Sequence, residues 1–110
     1  MINKMIIEKF LVLAGKVLQG EWILLGGAVI PLIDKSIRVT YDIDFVSKSD
    51  SSNAELLKLF KVAEDLNLPV ETINSAAGFF LRKIPKWEAN LVILLKNKSC
   101  TIYRPNVNLF

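Results

Sequence analysis

The sequence has 110 residues, 52% of them hydrophobic and 23% charged, with a net charge of +3 and a mean hydropathy of +0.38. That suits one globular domain with a single core. Histidine is absent and Cys100 is the lone cysteine, which excludes Ser-His-Asp, Cys-His and histidine–metal chemistry and any internal disulfide, and points to a reducing compartment.

The mild positive charge is compatible with nucleotide or RNA binding and equally with an ordinary solvated surface. The high hydropathy is met either by a tight α/β core or by an apolar surface buried in an oligomer or against a partner. Residues 2–18 predict an amphipathic helix, with Ile2, Ile6, Phe10, Leu13 and Val17 on one stripe, Lys4, Glu8 and Lys16 off it, and Gly20 as the stop. Glu8, Lys9 and Lys16 interrupt any signal-type segment, and the apolar run 23–33 is too short to span a bilayer. A cytoplasmic protein with no membrane segment is expected.

Residues 21–25 read as the first strand and 28–34 as a short helix with Pro31 near its first turn, with Gly26-Gly27 between them. Residues 35–40 form a polar connection carrying Lys35, Ser36, Arg38 and Thr40, and 41–46 read as the second strand. After a loop rich in Ser, Asp and Asn, residues 53–66 read as a helix with Leu56, Leu59, Phe60 and Ala63 on its apolar face, ended by Asn67-Leu68-Pro69. Four further strands are predicted, over 70–73, 79–84, 90–95 and 100–103, with turns at 74–78 and 96–98, a bend at Pro85-Lys86-Trp87 and an irregular tail from Arg104. This order predicts a single domain over 1–110, an α/β (α+β) fold with a mixed sheet flanked by about three helices.

Two features in this order carry chemistry. Aspartate is a poor strand former and is rarely buried, yet Asp42 and Asp44 interrupt Tyr41-Asp42-Ile43-Asp44-Phe45-Val46. On a strand, residues two apart share a face, so Tyr41, Ile43 and Phe45 turn to the core and both carboxylates project together from the other side. Two anions so close suit a hard divalent cation such as Mg²⁺. Gly26-Gly27, between a strand and a helix start, lets backbone approach a ligand closely and offers N–H groups to a phosphate. A phosphate cradle beside a carboxylate pair describes a phosphoryl- or nucleotidyl-transfer site. The plainer alternative is that Asp42 and Asp44 cap loops or pair with Lys35 and Arg38.

Gly26-Gly27, then Arg38-Val39-Thr40, then Asp42-Ile43-Asp44 with apolar flanks resembles the signature of the DNA polymerase beta-type nucleotidyltransferase superfamily. The resemblance is closest to its small prokaryotic members, including those of toxin–antitoxin systems, and covers residues 21–46 with specificity. It implies a minimal nucleotidyltransferase-like domain in which Asp42 and Asp44 hold one or two Mg²⁺ ions. Gly26, Gly27, Arg38 and Thr40 would orient the triphosphate of an NTP. A protein or RNA hydroxyl would attack the α-phosphorus and release pyrophosphate.

Active members carry a third carboxylate on a strand after the third helix. Glu71 and Glu88 are the only acids after residue 65, and Glu88 is preferred because an apolar strand follows it. Relatives also carry a helical C-terminal region that holds the acceptor. Its counterpart is short here, so the acceptor would be presented by a partner chain or the form is minimal. Trp22 and Trp87 are candidates for base stacking or for core packing. The other functional reading is a catalytically weak or inactive subunit of the same fold that binds a partner protein or a second copy.

Overall fold

The computed structural model describes residues 2–29, 32, 39–40, 42–48, 53–74 and 83–106. The chain runs β1 (Ile2–Asn3), α1 (Lys4–Val17), β2 (Gly20–Leu25), β3 (Val39–Thr40), β4 (Ile43–Ser47), α2 (Asn53–Asp65), β5 (Ile73–Asn74), β6 (Leu91–Lys96) and β7 (Cys100–Pro105). Five strands form a mixed sheet in the order β5-β4-β2-β7-β6, and β1 pairs separately with β3. β2 lies antiparallel to β4 and parallel to β7, β5 is parallel to β4, and β6 is antiparallel to β7. This is the mixed α+β architecture expected. Two α-helices are described in full rather than about three, and Leu32, within the helix expected over 28–34, is also helical. The helix expected over 28–34 overlaps a 3₁₀ turn at Gly26–Ala28, and apart from Leu32 its later part lies outside the described residues.

Helix α1 starts later than its hydrophobic pattern suggests because Asn3 caps it, the side-chain oxygen accepting from the Ile6 N–H at 3.0 Å. Its buried face also differs from the expected stripe. Ile7, Phe10, Leu11, Ala14 and Gly15 are buried, whereas Val17 is exposed. Small residues set this rotation: a side chain at Gly15 would strike Leu95 and Asn97, so the helix rests its Ala14-Gly15 surface close to the β6–β7 hairpin. Asn97 locks that contact by donating to the Gly15 carbonyl at 3.0 Å. In α2 the buried residues are Leu59, Val62 and Ala63, and Phe60 is turned outward.

One face of the sheet, covered by the helices, holds the main core. Trp22 of β2 lies parallel to Phe45 of β4 with ring centroids 5.4 Å apart, and Phe10 of α1 meets Phe45 edge-on at 5.1 Å. The indole N–H of Trp22 donates to the Gln19 carbonyl at 3.0 Å, so the ring is buried without an unpaired donor. Trp22 is therefore a core residue and presents no surface for stacking a base. The opposite face carries a smaller cluster of Ile23, Leu25 and Val46, with Trp87, Leu91 and Tyr103 packed against it.

The later strands depart from expectation in detail. Residues 70–73 are mostly a 3₁₀ turn at Val70–Thr72, and among the described residues β5 comprises Ile73–Asn74. The strand expected over 79–84 falls outside the described residues except for Lys83 and Ile84, which are not in a strand. Arg104 and Pro105, expected to be irregular, complete β7. Lys86 adopts φ 59°, which makes the expected bend at this segment a tight left-handed turn.

Trp22→Ala is expected to destabilise the chain by about 3–5 kcal/mol through loss of the aromatic stack and the cavity left behind. Val12→Ala, at a position 45% exposed, is expected to stay within about 0.5 kcal/mol of wild type. Urea unfolding of the two variants checks the contrast, and equal midpoints would refute this placement of the core.

Candidate functional site

The alternation in β4 runs as its sequence pattern predicts. Ile43 and Phe45 are fully buried in the helix-covered core, while Asp42 is exposed and Asp44 half-buried on the other face. The β2–β4 register then brings the two chemical ends of the motif together. Leu25 pairs with Asp44, so Gly26, the next residue of the chain, leaves the end of β2 beside the Asp44 carboxylate.

Gly26 is required there twice over. Its φ of 63° lies in the left-handed region that glycine enters without steric cost. A Cβ at the same place would run into Oδ2 of Asp44. The Gly26–Ala28 turn closes on itself through the Val29 N–H donating to the Gly26 carbonyl at 3.1 Å. The first N–H groups of such a turn have no partner within it. Strand β3, which contains Thr40, packs against this turn. Gly26, Gly27, Asp42, Asp44 and the Thr40 backbone thus occupy one corner of the fold. Arg38 lies outside the described residues, and so do Lys35, Ser36 and Tyr41.

Burial, and then the adjacent charge of Asp42, push the Asp44 carboxyl above its ordinary value. A divalent cation between the two carboxylates would relieve both causes, and carboxylate oxygens are the donors Mg²⁺ takes. The donor set therefore fits the cation.

Neither candidate third acid joins the pair. Glu88 is exposed in the 3₁₀ turn Trp87–Asn90, which opens β6 at the far edge of the sheet, with β2 and β7 between it and β4. Glu71 is exposed in the turn before β5. Among the described residues, no three His, Cys, Asp or Glu side chains come together in a metal-holding group. The residue that does stand beside Asp44 on the neighbouring strand is Asn74, its register partner in β5. A search for acids passes over it, and the cue in the sequence is its place in Thr72-Ile73-Asn74, where an apolar residue precedes a polar one on a short strand.

Trp87 is half-buried against Ile23, Leu25 and Val46, on the sheet face that carries Asp42 and Asp44. Further along this face Tyr103 donates to Glu21 at 2.6 Å, and Lys48 reaches Glu21 at 3.5 Å and lies 5.4 Å from the centre of the Tyr103 ring. The Tyr103 hydrogen bond, together with Lys48, holds Glu21 below the ordinary carboxylate range. This group links β2, β4 and β7 and leaves the Asp pair as the acidic end of the face.

Comparison with known proteins finds no matching family model, no matching curated protein and no matching solved structure.

The raised Asp44 value fixes the sign of a pH effect. The folded protein binds this proton more tightly than the unfolded chain, so ionising Asp44 costs stability as the pH rises from the ordinary aspartate value through the raised folded one. In divalent-free buffer at neutral pH, Asp44→Asn is expected to melt above wild type, and the gap is expected to close as the pH falls below the aspartate range. A lower melting temperature at neutral pH would contradict this account of the site. Gly26→Ala should lose about 1–2 kcal/mol from the left-handed backbone alone, and more if Asp44 cannot move aside.

Proposed function

We propose that the chain is a Mg²⁺-dependent nucleotidyltransferase that moves an NMP from an NTP to a hydroxyl of a protein or RNA acceptor. The observation that carries this reading is the close seat of the Asp44 carboxylate on Gly26, with Asp42 on the same sheet face. It joins the two halves of a motif separated by some fifteen residues into one corner, in the arrangement the resemblance to the DNA polymerase beta-type superfamily implies.

In this reading Asp42 and Asp44 hold the cation, and bound Mg²⁺ supplies charge neutralisation at the triphosphate oxygens. The glycine turn admits the phosphate chain close to backbone N–H groups. Thr40, and Arg38 in the connection before it, supply polar and cationic groups for the β- and γ-phosphates. The acceptor hydroxyl releases its proton to solvent as its oxygen bonds to the α-phosphorus, the bond from that phosphorus to the oxygen bridging to the β-phosphate breaks, and pyrophosphate leaves carrying the displaced charge.

A second reading has specific support: a subunit of the same fold that binds nucleotide or a partner without efficient transfer. Asp42 and Asp44 are joined by no third acid among the described residues. The helix layer also exposes Met5, Val12, Val17, Leu57 and Phe60, an apolar surface suited to a protein contact. No described helix is long and apolar enough to cross a membrane.

Calorimetric titration of the four NTPs in the presence of Mg²⁺ tests both readings. Binding that needs Mg²⁺ and disappears in the Asp42→Asn/Asp44→Asn double variant is expected. Absence of binding by a folded wild-type chain would overturn the proposal. Pyrophosphate release with RNA and protein acceptors then separates transfer from binding alone.

A further inference from the structure

We propose that the outer edge of β6 pairs antiparallel with β6 of a second copy of the chain, joining the two sheets about a two-fold axis at Val92. The inference uses neither Asp42 nor Asp44 and is independent of the nucleotide reading. Strand β6 ends the sheet order, and among the described residues its strand neighbour is β7 alone. The run Leu91-Val92-Ile93-Leu94-Leu95 is aliphatic throughout, and the only charge on the strand is Lys96 at its end. Monomeric proteins commonly blunt such an edge with charges or proline. Here Val92 and Ile93 are exposed instead, Ile93 by 53%.

The backbone pattern shows what this edge offers. The Asn106 N–H donates to the Asn90 carbonyl at 2.8 Å, so residues 90 and 106 form a hydrogen-bonded pair. Bonded and unbonded pairs alternate along an antiparallel ladder. Val92 opposite Arg104 is then the next bonded pair, whereas Leu91 opposite Pro105 and Ile93 opposite Tyr103 are unbonded. Pro105, which has no N–H to give, fits its place opposite Leu91. The N–H and C=O groups of Leu91 and Ile93 therefore point away from β7, toward the outer edge. The shift of register between Ile93 and Leu95 ends the regular edge there.

A second β6 matches this edge because the pattern is its own complement. A two-fold axis through Val92 sets Leu91 of each copy opposite Ile93 of the other, and their outward groups exchange N–H to C=O bonds in both directions. Val92 meets Val92 of the other copy at the unbonded position, where Cα atoms approach to about 4.5 Å and side chains pack closely. Both exposed side chains are covered, Ile93 by Leu91 and Val92 by its own counterpart. Antiparallel order also brings the Lys96 end of each strand to the end of the other that carries exposed Glu88. Lys86, just before Glu88, dilutes that attraction, so the backbone bonds and apolar pairs carry the contact. The contact is isologous and closes as a dimer, and its small size makes the association weak and concentration-dependent.

The test is sedimentation equilibrium of the full chain over a concentration series, with folding checked by circular dichroism. Wild type is expected to dimerise. Val92→Lys, which sets like charges against each other at the axis, should raise the dissociation constant at least about tenfold. A second measurement does not depend on that variant. Oxidised glutathione should cross-link two Val92→Cys copies through the introduced thiols, because the Cα separation at the axis suits a disulfide. Wild type, whose Cys100 is buried, and Met5→Cys, on the exposed helix face, should stay uncrosslinked. A chain that is monomeric at every concentration overturns the proposal and leaves the edge to a strand of a different protein. A dimer that Val92→Lys leaves at full strength, or that cross-links through Met5→Cys in place of Val92→Cys, overturns it by placing the contact on another surface.

Discussion

The antiparallel pairing of β2 with β4 is the constraint on which the rest of the site depends. It sets Leu25 opposite Asp44 and so delivers Gly26 to the carboxylate. A slip of one residue would reverse the faces of β4, placing Asp42 and Asp44 in the core and Ile43 and Phe45 outside. The core forbids that slip. Trp22 of β2 is stacked on Phe45 of β4, and Phe10 of α1 closes on the same ring. The aromatic packing on one face of the sheet therefore fixes the register that assembles the polar corner on the other.

The two faces divide the labour of the fold. Helices α1 and α2 cover one, burying the largest side chains. The other carries a small apolar patch of Ile23, Leu25 and Val46 under Trp87, with charged residues at both ends. Glu21 is satisfied at one end by Tyr103 and Lys48. At the other, Asp44 sits half-buried beside Asp42, with burial and like charge both acting against its ionisation.

Much of this was legible in the sequence where short-range periodicity governs structure. The two-residue alternation of Ile43-Asp44-Phe45 gave the faces of β4 correctly, because a strand offers only two sides. The helical stripe of α1 was less legible: large residues marked Ile6, Leu13 and Val17, but Ala14 and Gly15 decide which surface can approach the sheet closely. Partners across strands were not legible at all. The family resemblance suggested a third acid, for which Glu71 and Glu88 were the only candidates after residue 65, whereas strand order places Glu88 at the far edge and sets Asn74 beside Asp44. Such a neighbour follows from non-local pairing, which no local pattern encodes. The expectations for Arg38, Lys35 and Tyr41 fall outside the described residues.

The claim that Gly26, Asp42, Asp44 and their strand neighbours form one divalent-cation site is tested most directly by nuclear magnetic resonance of the isotopically labelled chain. Adding substoichiometric Mn²⁺ broadens resonances near a bound ion. The account predicts selective loss of the amide signals of Gly26, Gly27, residues 42–44 and Asn74, reversed by excess Mg²⁺. Broadening centred instead on the acidic residues of α2, Glu55, Glu64 and Asp65, or spread evenly over the chain, would contradict it.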